Sequence, residues 1–194
     1  MGTLIKKHRR LGKNQQRVLL LLSAGLALGL THSPRTQWRI IQALPHAWRA
    51  IGRSNLNQAS KALHRSGMVH VQKINGTAYL RLTVQGQRHA KRLQAQNITI
   101  NAPRRWDGKW SVVAYDIPES ERQIRLDLSQ ALKSAGFFEI QQSLFIHPYP
   151  CEHEVRRMTE LCEASEYVYF MRVEHLTNDA VARKHFELMD FKLT

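Results

Sequence analysis

The stretch WDGKWSVVAYDIPESERQ, residues 106–123, decides how the second half of this chain folds. Residues 110–115 are a short apolar run that predicts a β-strand, and the Asp-Ile-Pro that follows predicts the turn that ends it. Residues 119–135 then carry apolar side chains at four-residue spacing from Ile124 to Leu132. That spacing predicts an amphipathic helix with one buried face.

The remaining elements of this half follow in an order that defines a topology. Residues 137–147 predict one long strand or two short ones, residues 151–164 a second helix, and residues 167–173 a last strand. The order strand-helix-strand-strand-helix-strand is that of a ferredoxin-like (βαββαβ) sandwich, with helices on one face of an antiparallel sheet. Residues 179–191 have room for at most one short helix.

The N-terminal half is predominantly helical. Its predicted elements are helices at 14–28, 35–44 and 54–67, a further helical turn within 45–52, strands at 68–74 and 77–83, and a closing helix at 85–96. Asn75-Gly76 joins the two strands, and Asn-Gly between such runs is a strong hairpin signal. Residues 97–103 have no clear periodicity, so we place a domain boundary there, between residues 1–103 and 104–194.

Three helices followed by a hairpin predict a winged helix-turn-helix, whose third helix enters the major groove of DNA. Asn and Gln can pair with adenine, and Lys and Arg with guanine or with phosphate. The predicted base contacts are Asn57, Gln58 and Lys61, and the predicted phosphate contacts are Arg53, Arg65, Lys73 and Arg81. The alternative is an ordinary solvated helix face. The fold class is therefore α+β, a winged helix-turn-helix followed by a ferredoxin-like sandwich.

Charge separates the two halves as sharply as pattern does. Residues 1–103 contain 17 Lys and Arg and no Asp or Glu, whereas residues 104–194 contain all 15 acidic residues and have a net charge of −3. A surface without carboxylates is suited to a polyanion, which favours double-stranded DNA as a partner. The alternative is a basic soluble domain with no such partner.

Composition and cysteine content indicate the compartment. The chain has 43% hydrophobic residues and two cysteines, which are too few for a disulfide framework. Residues 18–30 are apolar after a basic stretch and resemble a secretory signal, but thirteen residues are too few to span a bilayer. We interpret them as a buried first helix and expect a cytoplasmic protein with no membrane partner.

Two stretches resemble a known family. WDGKWSVVAYDIPE and, after the predicted helix, GFFEIQQSLFIHPYPCE resemble the middle domain of the PaaX-type repressors of phenylacetate catabolism, a domain similar in fold to the small dimeric CRISPR-associated adaptation protein. LTVQGQR, residues 82–88, resembles the segment that closes the winged domain of such proteins. The resemblance covers roughly residues 14–175 and implies DNA binding by a homodimer.

The chain also departs from that family. PaaX-type repressors generally continue into a further C-terminal domain, whereas this chain stops at Thr194, so we expect that domain to be lacking. The sensing of a coenzyme A thioester, found in the family, is therefore not assigned to this chain. The identity of a small-molecule effector is left open.

Asp116 is the candidate for catalysis. In the adaptation proteins that cleave nucleic acid, an aspartate in a similar Y-D-I setting is the proposed metal ligand, facing its copy across the dimer. Carboxylates suit Mg²⁺, and a bound metal can activate water. The alternative is that Asp116 accepts backbone hydrogen bonds at the turn before Pro118. We favour the turn, and expect no enzyme activity and no cofactor.

A zinc site is the other metal possibility. Cys151, Cys162, His147 and His153 are of the right residue types, but no C-x-x-C is present, so their spacing supports no recognised site. The sequence therefore predicts a homodimeric transcriptional regulator, a repressor acting on an inverted repeat. The alternatives are a metal-dependent nuclease and a non-catalytic nucleoprotein scaffold.

Overall fold

The computed structural model describes residues 11–30, 53–74, 77–103 and 105–188. The chain divides into two compact units, Met1–Ala90 and Lys91–Thr194. Some predicted elements lie outside the described residues: the helix at 35–44, the helical turn within 45–52 and the Asn75-Gly76 turn. The boundary predicted after residue 103 stays a prediction.

The first unit contains helices followed by a hairpin. Its elements are α1 (Lys13–Leu30), α2 (Arg53–Arg65), β1 (Val69–Ile74), β2 (Thr77–Leu82) and the start of α3 (Val84–Gln96), which ends in the second unit. Helix α1 packs against α2, and α2 packs against β1. Val18, Leu19 and Leu63 are fully buried, as expected for apolar residues that recur on one face of a helix. Ala59, one turn before Leu63 on the same side of α2, is buried too.

A glycine ends α2 and turns the chain into the hairpin. Gly67 has φ +74°, the left-handed conformation that glycine adopts most easily. The N–H of Met68 donates to the Leu63 carbonyl at 3.0 Å, which satisfies a carbonyl that the helix end leaves open. The predicted helix stop at Gly67 is therefore confirmed.

The start of α3 is held against the hairpin by Thr83 and Gly86. Thr83 Oγ1 accepts the N–H of Gly86 at 3.1 Å, which caps the helix, and it donates to the Gly67 carbonyl at 2.7 Å. A Cβ added to Gly86 would lie 2.0 Å from the Met68 carbonyl oxygen. Only glycine allows this close approach of helix and strand.

The second unit is built around a four-stranded antiparallel sheet. Its strands are β3 (Trp110–Tyr115), β4 (Phe138–Gln141), β5 (Leu144–His147) and β6 (Val168–Val173), in the order β4-β5-β3-β6. The helices are α4 (Arg122–Ser134), α5 (Glu152–Cys162) and α6 (Ala180–His185), with single 3-10 turns at Glu119–Glu121 and Ser165–Tyr167. The connection β3-α4-β4-β5-α5-β6 is the predicted βαββαβ arrangement.

The two faces of this sheet are covered differently. On one face, Val113 and Phe145 pack with Leu128, Leu132 and other buried residues of α4 and α5. On the other face, Trp110 and Ile146 pack with Ala182 of α6 and with Leu188. Up to residue 188, where the described residues end, the segment after β6 contains one short helix, as predicted. Sequence patterns did not indicate that this C-terminal segment covers the second face of the sheet.

The W-D-G motif is a structural turn at the start of β3. Asp107 Oδ1 accepts the Lys109 N–H at 3.0 Å, and Gly108 has φ +78°. The other carboxylate oxygen of Asp107 forms an ion pair with Arg172 of β6, and Arg172 Nη1 donates to Ser111 Oγ at 2.9 Å. The motif therefore ties the loop before β3 to the edge strand β6.

Candidate nucleic-acid interface

The outer face of α2 presents polar and basic side chains. Gln58, Lys61 and Arg65 are exposed, whereas Ala59 and Leu63 on the opposite side are buried. Positions 58, 61 and 65 recur at helical spacing, so they share one side of the helix. The prediction that these three side chains face away from the core is confirmed, but their contacts with DNA stay predictions.

Two of the predicted DNA contacts are placed only by their backbone. Arg53 is the first residue of α2, and Asn57 follows one turn later. Their side chains, like that of Lys73 in β1, lie outside what the structure describes.

The hairpin separates two predicted phosphate contacts. Arg81 is exposed and pairs with His70, while position 73 pairs with position 78. Because side chains alternate along a strand and paired positions share a face, positions 73 and 81 fall on opposite faces of the hairpin. The backbone register therefore does not place both positions on one face of the hairpin.

A cleft of about 470 Å³ lies between the first turn of α1 and the outer face of α2. Lys61 and Arg65 line it from α2, together with Gln58, and Lys13 lines it from α1. Lys13 was not among the predicted contacts. The available signal was the basic, acid-free stretch before α1, but the proximity of α1 to α2 is a tertiary feature that no local pattern contains.

Asp116 lies at the end of β3 on the surface. Its side chain is exposed, and its backbone N–H donates to the Tyr167 carbonyl at 3.1 Å. Within the described parts of the chain, no group of three His, Cys, Asp or Glu side chains is placed to hold a metal ion. The geometry thus provides one exposed carboxylate per chain at this position.

The four residues considered for zinc have different environments. Cys151, Cys162 and His147 are buried, whereas His153 is exposed. Burial lowers the pKa of His147 to about 4, so its ring is neutral at pH 7, and Nδ1 accepts the Tyr149 N–H at 3.2 Å. Burial also raises the pKa of Cys151 to about 11 and that of Cys162 to about 12. Both thiols are therefore protonated at neutral pH.

Two further observations bear on the class of protein. None of the described helices has the length and apolarity to cross a membrane. The sheet order and connections of the second unit define a ferredoxin-like domain.

Comparison with known families makes the assignment of the second unit more specific. Residues 103–184 match the family described as the PaaX protein central Cas2-like domain. This part of the chain is therefore similar to the central domain of PaaX-type proteins, which confirms the resemblance found in the sequence for these residues. No curated protein matches the chain.

Proposed function

We propose that this protein is a sequence-specific DNA-binding transcriptional regulator, a repressor that acts as a homodimer. The observation that carries the proposal is the similarity of residues 103–184 to the PaaX central domain, joined to an N-terminal half without a single carboxylate. The family suggests transcriptional regulation, and the charge suggests the polyanion that such a regulator binds.

The proposed reading element is α2 in a winged helix-turn-helix. Its outer face carries amide and basic side chains that can bind base edges in the major groove, and the adjacent hairpin carries Arg81. A symmetric dimer of such units would bind an inverted repeat whose half-sites are spaced by whole turns of the double helix. In this proposal the protein acts in the cytoplasm.

The proposal gives Asp116 no catalytic role and requires no cofactor. A carboxylate at the end of a strand commonly serves the turn that follows, and its neighbour in sequence here is Ile117-Pro118. Mg²⁺ would require further ligands from DNA or from a second copy of the chain.

The test is selection of sheared genomic DNA on the full chain in the presence of Mg²⁺, followed by sequencing of the retained fragments and their ends. Intact fragments that share an inverted repeat would support the regulator. In that case Gln58→Ala should lower the protein's preference for one base pair of the repeat by about 1–3 kcal/mol. Competition between duplexes that differ at that base pair measures this change.

Other outcomes would overturn the proposal in distinct ways. Fragments cut by the wild type and left whole by Asp116→Asn would make the protein a nuclease. Retention of DNA without any shared sequence would make it a nucleoprotein scaffold. If light scattering shows a monomer that binds a single half-site, the homodimer is excluded.

A further inference from the structure

We infer that the cleft between α1 and α2 binds a phosphate of the DNA backbone, held by Lys13, Lys61 and Arg65. This inference rests on the proposed function, because it assigns a ligand to part of the same interface. It adds Lys13 to the contacts predicted from the sequence, and it moves Lys61 from a base edge to the backbone.

The cations of this cleft come from two separate elements. Lys13 comes from the first turn of α1, and Lys61 and Arg65 come from adjacent turns of α2, yet all three line one cleft. The cleft, at about 470 Å³, is many times the roughly 30 Å³ that one water occupies, so a hydrated phosphate group has room in it. Two separate elements thus present positive charge to a single space.

Within this unit, no acidic side chain neutralises these charges. No carboxylate lines the cleft, and residues 1–103 contain none. Lys61 and Arg65 are also an i, i+4 pair of like charge, which destabilises a helix by a few tenths of a kcal/mol. An anion in the cleft would offset this repulsion more directly than solvent and salt can.

The side chains that line the cleft favour phosphate as the anion. Lysine ammonium and arginine guanidinium groups are the side chains that bind phosphate most often, and the guanidinium can bind two phosphate oxygens at once. The side-chain amide of Asn55 lines the same cleft and can donate a further hydrogen bond. The first turn of α1, where Gly12 offers no side chain as a cap, adds N–H groups without intrahelical acceptors.

The position of the cleft favours a DNA phosphate over a free anion. Its wall is the outer face of α2, the same face that carries Gln58 toward the proposed base edges. Phosphate contacts position a reading helix without specifying sequence, and they flank the base contacts in most protein–DNA interfaces. A Lys61 ammonium that shares a phosphate with Lys13 is not free to reach a base.

The experiment measures binding of the full chain to a random-sequence duplex by fluorescence anisotropy over a range of salt concentrations. Lys13→Gln should lower the slope of log affinity against log salt by a fraction of the roughly one unit that a single phosphate contributes, because Lys61 and Arg65 still hold that phosphate. Arg17→Gln removes the same charge from an exposed position one turn along α1, outside the cleft, and should keep the wild-type slope.

A double variant tests whether the cations share one phosphate. Lys61→Gln should also lower the slope by a fraction of one unit, and Lys13→Gln with Lys61→Gln should lower it by at most about one unit in total. A loss of about two units in the double variant would mean separate phosphates and would overturn the shared site. Circular dichroism spectra and melting curves of each variant show whether a loss reflects unfolding.

The remaining outcomes separate this inference from the proposed function. A wild type that binds no duplex even at low salt would refute DNA binding altogether. Binding with an unchanged slope in Lys13→Gln would overturn the cleft alone. A changed base preference in Lys61→Gln would return that residue to a base edge. Calorimetric binding of inorganic phosphate that depends on Lys13, with an unchanged DNA slope, would make the cleft a free-anion site and overturn its assignment to DNA.

Discussion

The two units of this protein use positive charge in different ways. In the second unit, lysines and arginines are paired with carboxylates, as in Lys91–Glu163 at 2.7 Å and Arg92–Asp127 at 2.5 Å. Among the described side chains of the first unit, no lysine or arginine is in an ion pair. Net charge alone would describe the whole chain as basic. The structure locates the uncompensated charge in the unit proposed to bind DNA.

The largest effect is expected on the stability of the first unit, because its helix α3 packs closely against the backbone before β1. Gly86→Ala should destabilise the protein by about 3 kcal/mol or more, because the new Cβ would lie 2.0 Å from the Met68 carbonyl oxygen. Gly25→Ala is the matched control in the middle of α1, since its Cβ meets no atom of the described residues within 4 Å. That change should raise stability by about 0.5–1 kcal/mol.

Urea unfolding followed by circular dichroism measures both changes. A Gly86→Ala protein as stable as the wild type would show that α3 does not approach β1 as closely as described. If the two substitutions changed the free energy of unfolding equally, both changes would reflect helix propensity and not a backbone contact.

A second test concerns pH and the second unit. The pKa of His147 is lowered by burial to about 4, below the ordinary value of 6.5. His147 therefore binds a proton more readily in the unfolded chain than in the folded protein. The contribution of its neutral ring to the free energy of unfolding is complete above pH 6.5 and is lost as pH falls toward 4. The loss should be about 3 kcal/mol of unfolding free energy.

Unfolding measured at intervals between these two pH values checks the prediction. His147→Gln should flatten the pH dependence, whereas His153→Gln, at an exposed position of α5, should keep it. A slope that persists in His147→Gln would assign the pH dependence to another group.

The smallest effect is expected from the exposed ion pairs of the second unit. Arg156 and Glu152 are 3.1 Å apart at i, i+4 on α5, and both side chains are 66% exposed. Arg156→Ala should therefore cost only about 0.3–0.5 kcal/mol at low salt, and less at high salt. Arg157→Ala, at the adjacent exposed position, is the control. A loss above 1 kcal/mol would mean that surface pairing stabilises this unit more than solvent screening allows.

Local patterns were sufficient for most elements of the second unit. The strand at 110–115 and the helix with Leu128 and Leu132 buried are where the apolar spacing predicted them. Only the start of that helix differs, because residues 119–121 form a 3-10 turn before α4. A helix start that follows proline can begin with tighter i to i+3 bonds, and the Glu121 N–H donates to the Pro118 carbonyl at 2.9 Å.

The candidate interface was less accessible from sequence. Periodicity identified the outer face of α2, since it depends only on neighbours within one helix. It could not identify the cleft, because Lys13 and Lys61 lie 48 positions apart in the chain and meet through packing of α1 on α2. Nor could composition show that positions 73 and 81 fall on opposite faces, which depends on the strand register.

The buried cysteines make the protein convenient to label. Cys151 and Cys162 are shielded from solvent and their thiols are protonated at neutral pH, so maleimide and iodoacetamide reagents should react slowly with the folded protein. A cysteine introduced on the exposed face of α2 could therefore carry a fluorophore or spin label without removal of the native thiols. The same two thiols would become reactive only when the second unit opens, so their modification rate would report that opening.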